Sequence, residues 1–482
     1  MRKVYLGLLM ALCFCGIALA GEYLQEPAAI QMSSYISDGK YSIPEIAAVA
    51  RENKVKIVII TDRDSMRWQY GLWPLRNVVK KTVEDPSIFK YGVSNYLKEI
   101  ENAQKANPDM VIIGAVESAP LYYWQGGPFH NNLKIINWHK HMLAIGLDKK
   151  EDYEMLPVIS NTKGLALPFK PHNIFYFLLP LITLIFGVLC IFSHKFGYKR
   201  AYGRALGVLL VLAGILFLWN DYPFRDMRFD QYHGDMGIKP YQNYIDYVNS
   251  RGGLSFWAHP EAEYLEKIRN VDIETREHAH DLLSSDRYTG FALFYEGYKK
   301  SGIPGGIWDQ VLMQYCKGVR KNPVWALACL GFDNDGMLDN YLQDLRTVLL
   351  VSALDKRSVL EALKQGRAYL IRGRDSSSFV LDKFGIQDSA LGPEKTFGQQ
   401  AMIKNKARIE ISGHFTNGQS KTFNLRLVKN GAVIKTFEIS APFDIVYEDP
   451  VADNPDLNFY RVDAETDGVH VVTNPVFVKK VL

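Results

Sequence analysis

Between Ser42 and Asp64 the apolar positions change from helical spacing to a continuous run. Ile46, Ala47, Val49 and Ala50 recur at helical intervals, which predicts a helix over about residues 43 to 53. Ser42 suits its N-cap, with Pro44 in the first turn and Glu45 in the capping-box position. Val55 to Ile60, rich in β-branched residues, then predicts a strand buried on both faces. It ends in Thr61-Asp62-Arg63-Asp64, and polar residues at the C-terminal end of such a strand are where barrel enzymes place their chemistry.

The same change of period repeats downstream. Residues 95–106 and 307–319 read as helices, while 110–116, 141–147, 252–259, 289–296 and 324–332 read as strands. Alternation of this kind argues for a parallel α/β sheet closed by helices, and residues 357–370 supply a last helix and strand. From about Val380 apolar and polar residues alternate between Asn-Gly turns, the pattern of an antiparallel β-sandwich of about 100 residues.

Three apolar stretches fit neither pattern. Arg2 and Lys3 precede an apolar core ending in Ala18-Leu19-Ala20, which reads as a secretory signal cleaved after Ala20 or, alternatively, as an uncleaved anchor. Residues 174–193 carry no charge and suffice to span a bilayer, which needs about 20 apolar residues. The run from Ala205 to Trp219 is shorter and needs its flanks to do the same. Lys195, Lys199, Arg200 and Arg204 lie between them with no acid, so the positive-inside rule puts this loop in the cytoplasm and both flanking segments outside. The alternative is a pair of buried core helices.

Composition narrows the picture further. A chain of 482 residues, 48% hydrophobic and 22% charged, holds two or three domains with some membrane content. A net charge of +4 is too weak to argue for nucleic acid. After signal cleavage only Cys190, Cys316 and Cys329 remain, and the last two are either a disulfide or buried thiols.

The stretch from Gln31 to Asp64 resembles the first two motifs of the PHP (polymerase and histidinol phosphatase) family, in which His-x-His precedes Ser-Asp-Gly and a strand ends in Thr-Asp-His. Here Gln31 and Ser33 stand at the two histidine positions, Arg63 stands at the third, and Asp38 is kept. The resemblance continues through VIIGAVES with Glu117, HMLAIGL with His141, GGLSFWAHPEA with His259, and ACLGFDNDG, where Asp333 matches and Asp335 replaces a histidine. It covers roughly residues 30 to 375. The NFYRV and TNPVFV pieces are similar to a C-terminal module of a PHP subgroup that includes carbamate hydrolases.

This resemblance implies a distorted seven-stranded (β/α) barrel interrupted by a transmembrane hairpin and followed by a small β-sandwich. The expected divisions are a signal peptide at 1–20, barrel halves at 21–170 and 222–378, the hairpin at 171–221, and the sandwich at 379–482. It also implies three metal sites at the barrel mouth. The first keeps Glu117 and Asp333 but carries Gln31 and Ser33, which are poor ligands for a transition metal. The third keeps Asp38 and gains Asp335, but carries Arg63, which cannot ligate and repels a cation. The second, Glu117, His141 and His259, is intact and has the composition that binds zinc, manganese or iron(II). The expected cofactor is therefore a divalent metal, fewer than three ions and down to none. Asp333, Asp335 and Arg63 are the candidate catalytic residues; Arg63 either forms a salt bridge among Asp38, Asp333 and Asp335 or clamps a phosphate or carboxylate. His139, His278 and His280 read as surface or helix residues, and Trp257 either lines a pocket or packs.

Two functions from different classes remain open. One is a membrane-tethered, externally facing hydrolase acting on a small phosphoester, carbamate-like or amide substrate, located on the periplasmic or extracellular side of the inner membrane. The other is a catalytically inactive envelope binding or structural module.

Overall fold

Ile43–Glu52 forms the helix that its spacing predicts, closed by a capping box in which Glu45 N–H donates to Ser42 Oγ at 3.3 Å and Ser42 N–H to Glu45 Oε2 at 2.7 Å. The computed structural model describes residues 23–193, 200–268, 270–388, 391–450 and 457–481. The expected signal peptide, with Lys195 and Lys199 of the basic loop, lies outside the described residues.

The protein is a mixed α/β structure. Seven strands lie side by side in the spatial order Trp325–Ala328, Gly290–Phe294, Leu254–Trp257, Met142–Ile145, Val111–Ser118, Ile57–Ile60 and Leu24–Met32. The two ends meet: Leu330 N–H donates to Ile30 O at 2.7 Å and Phe332 N–H to Gln31 O at 3.1 Å, which closes the row into a ring. Ile57 and Ile59 join the apolar cluster of Val111, Ile113, Leu143 and Phe256. Val58 and Ile60 instead join the cluster that holds Ile46, Ala47 and Ala50 of the first helix and Tyr96 of the helix Val93–Ala106. Both faces of the strand are thus buried.

The sheet is not parallel throughout, contrary to the alternation argument. Met142–Ile145 runs antiparallel to Val111–Ser118 and to Leu254–Trp257, while the other ring pairs are parallel. A parallel connection has to return the chain to the opposite end, as the Val93–Ala106 helix does between Ile60 and Val111. Between Ser118 and Met142 there is no such helix. The chain makes short strands, Tyr123–Gln125 and Lys134–Ile136, and re-enters from the end it left.

The connection from Ile145 to Leu254 contains the apolar helices Ile174–Phe192 and Arg200–Asp221, both long and apolar enough to cross a membrane. They pack on each other through small residues, which let the backbones approach: a Cβ on Gly187 would lie 2.8 Å from Gly207 O. Phe175, Leu179, Leu189 and Leu209 point outward and are exposed, so these are not buried core helices.

Beyond Phe379 two sheets enclose a shared core containing Leu381, Ile409, Phe423, Leu425, Val462 and Val471. One consists of Phe379–Gln387, Lys406–Phe415 and Phe443–Pro450. The other is continuous with the ring, because Val469–Thr473 pairs with Ala368–Arg372, which pairs through Leu345–Val351 with the first strand. Asn430 and Gly431 both have positive φ, 52° and 87°, as a two-residue hairpin turn requires. Arg461, fully buried, donates to both carboxylate oxygens of Asp309 at 2.7 and 2.8 Å and fixes this part to the ring. Cys316 and Cys329 are buried free thiols, and Trp257 is buried and packs, its Nε1 donating to Ser285 Oγ.

Candidate metal centre

Period-two alternation aims several side chains into one end of the ring. Val111, Ile113 and Ala115 face the interior, and Glu117 continues their series at the strand end. Leu327 and Cys329 lead in the same way to Asp333, and Ile57 and Ile59 to Arg63. His141 precedes the inward-facing Leu143 by two residues. It sits at the start of its strand rather than the end, and the antiparallel direction brings it to the same rim.

Gln31 and His259 arrive by a different route. Gln31 has φ 68°, at a register shift between Ile30 and Met32, and His259 has φ 28°. Left-handed backbone in non-glycine residues stores strain of order 1–3 kcal/mol. Here it turns both side chains toward the rim, where they line a small chamber with Ser33, Glu117 and Asp333.

Glu117, His141 and His259 form a triangle. Glu117 Oε1 to His141 Nδ1 is 2.9 Å, His141 Nδ1 to His259 Nε2 is 3.2 Å, and His259 Nε2 to Glu117 Oε1 is 3.6 Å. Ligands at about 2.1 Å from one ion lie roughly 3.0 Å apart in an octahedron and roughly 3.4 Å apart in a tetrahedron. The triangle therefore fits one divalent ion in donor chemistry and in spacing, and all three residues are buried.

Arg63 reaches into the same place. Its Nε donates to Asp38 Oδ2 at 3.1 Å, its Nη1 to Glu117 Oε1 at 2.9 Å, and Nη1 is within hydrogen-bond distance of both ring nitrogens of His141. Its ion-pair partners are thus Asp38 and Glu117, not the expected trio of Asp38, Asp333 and Asp335. Asp333 Oδ1 accepts from the backbone of Asn334 at 2.6 Å and Asp335 at 3.3 Å, and both aspartates line the cavity. At the other replaced positions, Gln31 Nε2 donates to Glu117 Oε2 at 3.2 Å, leaving Gln31 Oε1 buried without a partner.

Burial opposes the charge on Glu117, yet Arg63 and the two histidines outweigh it and hold the carboxyl well below its usual range. Burial, then Arg63, pushes His141 down to about 4, so its imidazole is neutral. Asp38 behaves like Glu117, burial being overcome by Arg63. The cavity, about 270 Å³, is lined by Asp38, Glu117, Glu266, Asp333 and Asp335 against one guanidinium. That excess of carboxylates favours a cation.

Two of the histidines expected at the surface or in a helix are in neither place. His139 lines the cavity, its ring 5.7 Å from that of His141 and 4.6 Å from Tyr264, and burial pushes it down to about 2. His278 is buried against Trp257, whereas His280 is exposed as expected. Tyr264 and Tyr295 complete the wall beside His259. The His-Lys-His spacing before Met142 was the available signal for His139, and nothing local marks the tyrosines. Asp62 and Asp64 support the rim: Asp62 accepts from Ser34 N–H at 2.8 Å and Ser37 Oγ at 2.6 Å, and Asp64 accepts from Ser118 Oγ at 2.7 Å.

No protein-family model matches the chain, and neither does any curated protein. Among solved structures, it is similar to a two-domain protein from Bacteroides vulgatus containing a predicted PHP-like metal-dependent phosphoesterase. The identity is 10% and the TM-score 0.36, over 92% of this chain and 95% of that one. It is also similar to a candidate metal-dependent phosphoesterase from Bifidobacterium adolescentis, at 14% identity and TM-score 0.30, over 71% of this chain and 97% of that one.

Proposed function

We propose that this chain is a PHP-type metal-dependent hydrolase, anchored in the membrane by its helical hairpin and working with a single divalent ion. The Glu117–His141–His259 triangle carries this reading, because its three edges match the spacing of ligands around one ion. Zinc, manganese or iron(II) suits the donors. When bound, such an ion lowers the pKa of a coordinated water toward neutrality and supplies a hydroxide nucleophile.

The chain's own residues do the rest. Neutral His141 and ionised Glu117 are in the protonation states that ligation needs. Asp333 and Asp335, on the cavity wall, would accept the proton that the attacking water gives up. Arg63, which lines both chambers and pairs with Glu117 and Asp38 while no ion is bound, would be released by the ion and offer its guanidinium to a substrate oxyanion. The substrate class is a small phosphoester or a carbamate-like or amide bond, the latter in keeping with the NFYRV and TNPVFV resemblance. In this reading the ring and the C-terminal sheets face the periplasm or the exterior, and cytoplasmic protease sensitivity of residues 30–165 would refute that topology.

One observation favours a second reading. Arg63 already satisfies Glu117 and Asp38 without an ion, which suits a catalytically inactive binding module. Metal analysis of the full chain after loading with zinc, manganese or iron(II) decides between them. About one equivalent, lost in His141→Ala and in His259→Ala, is expected of the hydrolase; none in the unmutated protein leaves the inactive module.

A further inference from the structure

At the end of the second hairpin helix lies a cleft that the metal centre does not use. Its volume is about 510 Å³, and Arg67, Lys80, Lys163, Arg225, Trp219 and Tyr222 line it. The Arg67–Gly71 and Lys80–Glu84 hairpin forms one wall, clamped to the helix end by Asn77 N–H donating to Asn220 Oδ1 at 3.0 Å and Asn77 Nδ2 to Asn220 O at 2.8 Å.

The charge in this cleft is unbalanced. Among the described residues none of the four cations has an ion-pair partner, and the single acid in the lining, Asp221, accepts from Asn220 Nδ2. Crowding shows at Lys80, whose pKa is lowered by burial and then by Arg67. Four like charges gathered around a polar and aromatic floor repel one another unless an anion sits between them.

The location narrows the anion. Trp219 and Tyr222 are exposed at the point where the apolar helix ends, the level at which aromatic side chains mark the membrane–water interface. Trp73, on the tip of the hairpin that Asn77 clamps to this helix end, is 80% exposed. A headgroup phosphate lies at that depth, within reach of the cations that line the cleft.

We infer that this cleft binds the phosphate of an anionic phospholipid at the bilayer surface, an assignment that rests on the hairpin spanning the membrane. The lipid would hold the ring at a fixed height and orientation, with Arg67 only four residues from Arg63 of the metal centre.

The test uses the full chain in neutral detergent, titrated with equal amounts of phosphatidylglycerol and phosphatidylcholine and read by native mass spectrometry. Phosphatidylglycerol should be retained about tenfold better. The triple variant Lys80→Gln, Lys163→Gln, Arg225→Gln should bring that ratio to within about twofold, while Lys98→Gln, Lys364→Gln, Lys404→Gln, elsewhere on the surface, should leave it unchanged. Equal retention of both lipids, or an undiminished ratio in the cleft variant, overturns the assignment. So does complete displacement of phosphatidylglycerol by millimolar inorganic phosphate, which would mark a soluble-anion site. Release of the chain from membranes by alkaline carbonate would sink the spanning hairpin itself; a chain that stays in the pellet yet shows no lipid preference sinks only the cleft.

Discussion

Arg63→Gln tests the competition between guanidinium and metal. An ion bonded to Glu117 Oε1 at about 2.1 Å would lie no more than about 5 Å from Arg63 Nη1, itself 2.9 Å from that oxygen. At an effective dielectric constant of about 20, a divalent ion and a guanidinium at that separation repel by about 7 kcal/mol. Swinging Arg63 out instead sacrifices two charge-assisted hydrogen bonds, to Glu117 and Asp38, at about 1.5–3 kcal/mol each. Displacement is the cheaper route, so Arg63 should weaken metal binding by about 3–6 kcal/mol, or two to four orders of magnitude. Competition of zinc or manganese against a chromophoric chelator should show Arg63→Gln binding at least about 100-fold more tightly than wild type, and adding His141→Ala should abolish the gain. Thermal denaturation supplies an independent reading. Without metal the variant leaves the buried Glu117 carboxylate without its cationic partner, costing about 3–5 kcal/mol, and metal should restore more stability to it than to wild type. Equal affinities for the variant and wild type, with the variant folded, would refute the competition.

Other consequences follow from the same structure. Restoring histidine at positions 31, 33 and 63 together should raise bound metal above one equivalent in elemental analysis; an unchanged stoichiometry would count against the resemblance of that stretch. Burial raises Asp62 from 3.8 to about 6, so the folded chain holds that proton more tightly than the unfolded one; the stabilisation is full below the unfolded value and lost as pH rises through about 6. Asp62→Asn does not titrate, so denaturant unfolding should show wild type losing about 2.5 kcal/mol relative to it between about pH 4 and about pH 7. Arg461→Ala leaves Asp309 buried and unpaired, and should cost about 3–5 kcal/mol and speed proteolysis between the ring and the C-terminal sheets. Gly187→Val should lower the melting temperature in detergent, by an amount matching about 1–3 kcal/mol, because its side chain meets the Gly207 carbonyl.

Much of this was determined by the sequence itself. Apolar spacing and the capping box specified the Ile43–Glu52 helix, and β-branched runs specified the buried strands, because local periodicity reports which faces must leave water. The alternation along Val111 to Glu117 and along Leu327 to Asp333 already aimed two acids inward. The long uncharged helix was legible for the same reason. Strand direction was not, since it depends on which end a connection returns to, and that put His141 at the start of its strand. The left-handed turns at Gln31 and His259 are likewise held by neighbouring strands, with no glycine in the sequence to announce them. Arg63's partners were decided by distance across the ring: Glu117 and Asp38 converge on it, while Asp333 and Asp335 bond within their own loop or stay at the wall. Sequence spacing supplies the donors of this centre; only the closed ring brings donors from three separate strands to within 4 Å of one another and a competing cation to within 4 Å of Glu117, because that proximity is a property of long-range packing.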